Sequence, residues 1–186
     1  MNAIRQIILN NSTPKKVWVL FGITQLIYGA MLLFTLPMIK QYAGGMAPLD
    51  LMPLGYDATY VTTLFKALGE PGRSAYLFWQ LPIDMVYPLF FAVSYALLMA
   101  YLLRKMDRLQ GSWFYLCLLP LVSGMFDYLE NIGISMLLRS FPNISDSLVA
   151  LTSGFTLLKS ITTTIYFLCL VACLLVWGYR VFNKIR

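Results

Sequence analysis

The stretch Phe126-Asp127-Tyr128-Leu129-Glu130-Asn131 puts two carboxylates and an amide inside a run otherwise apolar enough to cross a bilayer. Asp127 and Glu130 are three apart, and Asp127 and Asn131 four apart, so one helical face presents all three. A protonated carboxyl beside an ionised one is a usable acid/base pair. Charged side chains at membrane depth cost about 2.5–3.5 kcal/mol each on insertion scales, so they face a partner or a cavity.

Other polar residues recur at the same spacing. Gln80, Asp84, Tyr87, Phe91 and Ser94 form one stripe, and Thr152, Thr156, Lys159, Thr163 and Tyr166 form another. Gln25 and Tyr28 are the polar interior candidates of the first apolar run. At ~1.5 Å per residue, Asp84, Asp127, Glu130 and Lys159 reach one level on three helices. Asp84, Asp127 and Glu130 are therefore the candidate catalytic groups. The candidate ligand-binding set adds Gln25, Tyr28, Gln80, Tyr87, Asn131, Lys159, Thr163 and Tyr166. Three carboxylates against one ammonium leave two negative charges over, so a proton or a cation must share the cluster.

The elements that position these groups follow from composition. The chain is 59% hydrophobic and 12% charged, about half the charge of a soluble domain. The expected fold is an all-α integral membrane protein of one domain, 1–186. It is a four-transmembrane-helix bundle with spans at 17–38, 75–103, 112–138 and 148–178. Residues 39–73 form a long outer loop, broken by Gly44, Gly45, Pro48, Pro53 and Gly55. Within it Asp57 opens a short amphipathic helix that Gly69 and Pro71 end, suited to a membrane surface or to a lid. Pro82 and Pro88 should kink the second span on either side of Asp84. Gly22 and Gly29 offer close helix approach in the first.

The leader 1–16 lacks a small-residue cleavage site before the apolar run, which favours an uncleaved signal-anchor. Nine basic residues fall in the leader, the 104–108 turn and the tail; Lys40, Lys66, Arg73 and Arg139 fall on the other side. That bias puts both termini in the cytoplasm. With no histidine, His-based metal sites and Ser-His or Cys-His catalysis are excluded, and no metal or cofactor is expected. Cys117, Cys169 and Cys173 read as small apolar packing residues.

Three functions fit. The first is a polar pocket in the outer half of the bilayer that binds or transforms a small amphiphile or lipid, walled by Tyr28, Trp79, Tyr87, Tyr128 and Tyr166. The second is an oligomeric proton- or cation-coupled carrier with Asp84 and Glu130 as proton sites. In the third the charges only lock the bundle together. Expected partners are membrane lipids and a small amphiphilic or cationic ligand, not nucleic acid. Four spans, the long outer loop and Gln80-Leu81-Pro82 beside an acidic residue resemble the EXPERA membrane domain of sterol isomerases and sterol- or drug-binding receptors. That resemblance implies carboxylates in an intramembrane pocket; the isomerases also use a histidine, which this chain lacks. Tyr56-Asp57, Gly72-Arg73, Tyr87-Pro88 and Phe126-Asp127 also look like a family of four-span bacterial membrane proteins, which implies an inner (plasma) membrane location but no activity.

Overall fold

The structure, a computed structural model, describes residues 2–185; Met1 and Arg186, the ends of the basic leader and tail, lie outside them. It is all-helical, with no strand among the described residues. Helix α1 is Asn2–Asn11. Helices α2 (Pro14–Tyr42), α3 (Ala58–Lys105) and α4 (Gly111–Ser140) follow, and α5 is Asp146–Ile185. Helices α2 to α5 are each long and apolar enough to cross a membrane. Their outward faces are apolar as well: Leu26, Leu33, Phe34, Leu168 and Leu175 are 67–75% exposed.

Prolines and glycines shape these helices. Asp57 caps α3, its Oδ1 accepting the Tyr60 N–H at 2.7 Å. At Gly69 the backbone leaves the helix (φ 60°, ψ −175°), a conformation that a side chain would disfavour. The Phe65 carbonyl near this break accepts Arg73 Nη1 at 2.8 Å, and the same guanidinium lies over the Phe141 ring. The expected surface helix is thus the first piece of α3. Its stripe Val61, Leu64, Phe65 and Leu68 is at most 2% exposed, in a core with Ile134, Leu137 and Val149.

Pro37 and Pro82 each follow a wider π-helical turn, Met31–Thr35 and Tyr76–Gln80. A proline cannot donate to the fourth carbonyl back and its ring crowds that carbonyl; the wide turn makes room. This corrects the expectation for Asp84. The irregular backbone lies one turn before Pro82, and Asp84 itself sits in regular helix. Gly22 and Gly29 are corrected too, since nothing lies within 4 Å of a Cβ built at either. Close approach falls to Gly124 against Pro88 and Ala92, and to Gly133 against Thr152.

Helix α3 packs against α2 and α4, and α4 packs as extensively against α5. Two apolar cores form. One gathers Val17, Phe91, Leu103, Phe114 and Tyr166, and the other gathers Ile39, Leu64, Phe65, Tyr76 and Leu137. Between the two, on α3, α4 and α5, lies a polar layer.

Candidate functional site

The layer is centred on Lys159. Its ammonium pairs with Glu130 Oε2 and, at 3.3 Å, with Asp127 Oδ1. The Glu130 side chain is fully buried, while those of Asp127 and Lys159 keep 9% and 18% exposure. Thr156 Oγ1 donates to Glu130 Oε1 at 2.9 Å. Glu130 thus has a partner on each oxygen, and Lys159 is shared. A buried pair is tolerable only with this density of compensation.

Asn131 has a different task. Pro88 has no N–H, so the Asp84 carbonyl four residues earlier loses its helical donor. Asn131 Nδ2 supplies one from the neighbouring helix at 2.9 Å. The pairing links α4 to α3 beside the Gly124 contact. Asn131→Leu leaves that carbonyl buried without a donor, so we expect a loss of about 1–3 kcal/mol in stability. Thermal unfolding in detergent reads it, and an unchanged melting temperature would show that the bond contributes nothing.

The residue that sequence reasoning missed is Asp50. After α2 the chain turns inward through Pro48 and a short 3-10 turn, Leu49–Leu51. The Asp50 carboxylate accepts the Tyr76 hydroxyl on Oδ1 and Gln80 Nε2, at 2.9 Å, on Oδ2. Gln80 in turn accepts the Thr35 hydroxyl, and the Leu49 N–H donates to the Tyr76 oxygen at 3.0 Å. The two π turns, through Thr35 and Gln80, therefore meet at the loop carboxylate. The available signal was a lone acid between leucines in a Pro/Gly loop.

Further along, Gly55 has φ +82°, and a Cβ there would lie 2.6 Å from Ser153 Oγ. That same oxygen accepts the Tyr56 N–H at 2.9 Å. Burial pushes the Tyr56 phenol above its ordinary range, which keeps it neutral beside Glu130. Asp50→Ala strips Tyr76 and Gln80 of their acceptor. We expect about 1–3 kcal/mol of destabilisation and faster hydrogen exchange at residues 46–56. Exchange in that segment matching the parent would show that Asp50 does not hold the loop.

A cavity of about 290 Å³ opens beside the ion pair between α3, α4 and α5. Asp127 and Lys159 line it, with Tyr87 and Phe91 on one wall, Ser123 and Thr163 on another, and Pro53 of the loop at its edge. Tyr87 stacks on Tyr28 (centroids 5.6 Å apart) and leans on Phe91 (5.7 Å). Ser123 and Thr163 share a 2.5 Å hydrogen bond.

The structure brings Tyr87, Asp127, Lys159 and Thr163 to the cavity, with Glu130 directly behind. Asp84 is 3% exposed, near the cluster but off the lining. Gln80 belongs to the Asp50 network. Tyr166 donates to the Tyr95 carbonyl inside the other core, and Gln25 donates to the Tyr95 hydroxyl. The expectation that Gln25 and Tyr28 face the interior is corrected: both are exposed, and Tyr28, at 41%, only backs Tyr87. Trp79 is 65% exposed, off the cavity wall. Among the described residues, no three Asp, Glu or Cys side chains gather closely enough to hold a metal ion. No protein-family model, no curated protein and no solved structure matches the chain.

Proposed function

We propose that the chain is a multi-pass membrane protein whose polar cavity binds a small amphiphile with a cationic head. The bare apolar faces of α2 to α5 support residence in lipid. Basic residues crowd the end carrying the leader, the 104–108 turn and the tail, which supports a cytoplasmic location for that end. The cavity then lies in the outer half of the bilayer, under the 43–57 loop.

One observation carries the choice of a cation. Lys159 and Glu130 neutralise each other, and the other charge on the cavity wall is the Asp127 carboxylate, held to Lys159 only at 3.3 Å. Tyr87 and Phe91 set two ring faces near that carboxylate. A carboxylate with aromatic walls suits an ammonium group, which gains both Coulomb and cation–π attraction. The tail of the amphiphile would leave toward lipid, and the Ser and Thr hydroxyls offer donors to a polar linker.

Binding of single-chain amphiphiles with identical tails and ammonium, neutral or sulfate heads tests this in nanodiscs. The ammonium compound should bind best. Asp127→Asn keeps the shape and removes the charge. It should weaken ammonium binding about tenfold to a hundredfold, the scale of a charge-assisted hydrogen bond, and leave the neutral analogue unchanged. Equal affinity for all three heads, untouched by Asp127→Asn, overturns the reading.

A further inference from the structure

At the opposite end of the bundle a second cavity, about 240 Å³, lies between the 106–113 turn and α5. Arg108 and Arg180 line it, with Met106, Trp113, Cys173 and Val176. Arg180 is fixed there because its Nη1 donates to the Met106 carbonyl at 2.9 Å. A guanidinium has five N–H donors, so most of the fork stays free. Neither arginine has a carboxylate partner among the described residues, where the ion pairs all involve Lys159. No acid lines the cavity either.

Its floor is apolar and opens on the bundle's exterior. Cys173 is 4% exposed at the base, and Trp113 and Val176 are each 45% exposed at the sides. Two unpaired guanidiniums at one end of a greasy groove fit a molecule with a phosphate at one end and a hydrocarbon chain at the other. Arginine forks match phosphate oxygens two at a time, and an indole at such a boundary sits at headgroup level.

We infer that this groove is a binding site for an anionic glycerophospholipid, its phosphate held by Arg108 and Arg180 and one acyl chain lying along Trp113, Cys173 and Val176. The inference rests on the membrane-spanning reading and is independent of what the other cavity binds.

Trp113 is the reporter. The chain has four tryptophans, so Trp18, Trp79 and Trp177 are changed to Phe and the protein is placed in phosphatidylcholine vesicles. Brominated phosphatidylglycerol or brominated phosphatidylcholine is then titrated in. Quenching by the anionic lipid should reach its midpoint at a lower mole fraction, by about fivefold for each arginine engaged. Arg108→Gln/Arg180→Gln should erase that preference. Because Arg180 also holds the Met106 carbonyl, Arg108→Gln alone serves as the milder variant and should remove about fivefold.

Equal quenching by both lipids, unaffected by the substitutions, overturns the site and leaves the membrane reading standing. Quenching by neither overturns both. Competition by millimolar inorganic phosphate would assign the arginines to a soluble anion and overturn the lipid.

Discussion

Lys159→Met is expected to lower stability by about 3–5 kcal/mol, the cost of breaking a buried ion pair by removing one partner. The side chain is nearly isosteric along its stem, so packing changes little and the loss is electrostatic. Without the ammonium, Glu130 keeps one hydrogen bond, from Thr156, and Asp127 loses its ion-pair partner. Both carboxylates then lie near Asp84, and no other ion pair among the described residues offsets them. Thermal unfolding in detergent measures the effect.

The companion double variant decides its origin. Lys159→Met with Glu130→Gln removes one charge of each sign, keeps an acceptor for Thr156, and should recover a large part of the loss. Buried pairs replaced as a pair are often neutral in cost, whereas half a pair is not. A single variant as stable as the parent would mean that the ammonium contributes nothing to folding. A double variant no better than the single would place the loss in the lysine stem instead.

Much of this cluster was legible in the sequence, for a physical reason. Ionisable residues in an apolar helix are costly, so Asp84, Asp127, Glu130 and Lys159 mark themselves, and helical spacing fixes which share a face. The four long helices were legible on the same ground, since length and apolar content are properties of one segment. What a face meets depends on a second segment. The Asp50 carboxylate depends on how a Pro/Gly loop folds back, which no periodicity reports. The role of Asn131 was half legible. Pro88 announces an orphaned carbonyl at Asp84, but not which helix supplies the donor. For Gln80 and Tyr166 the spacing placed the side chains indoors, while their neighbours turned out to be the loop and the Tyr95 region; Gln25, expected in the interior, is exposed and reaches only the Tyr95 hydroxyl. Glycines show the same limit. Gly22 and Gly29 looked like a contact face, yet the tight packing is at Gly124 and Gly133.

Gly133→Ala is expected to destabilise the protein by about 1–3 kcal/mol, the usual cost of forcing volume into a packed interface. A Cβ at position 133 would stand 2.3 Å from Thr152 Oγ1, 2.6 Å from its Cγ2 and 2.9 Å from its Cβ. Thr152 cannot swing clear. It is fully buried, it is β-branched and stiff at χ1, and its hydroxyl donates to the Leu148 carbonyl at 2.7 Å. The helices must therefore part, and they must part close to the ion pair. Gly133 lies one turn beyond Glu130, and Thr152 one turn before Thr156. Separation there lengthens the Thr156–Glu130 hydrogen bond first. Thr152→Ala in the same background removes two of the three clashing atoms and should restore part of the loss. Gly154→Ala, with nothing within 4 Å, is the control on the same helix pair and should change little. Thermal unfolding of the four proteins separates these cases. If Gly133→Ala melts with Gly154→Ala, the approach of α4 and α5 at Gly133 is looser than this geometry requires, and the register that brings Lys159 to Glu130 must be set elsewhere.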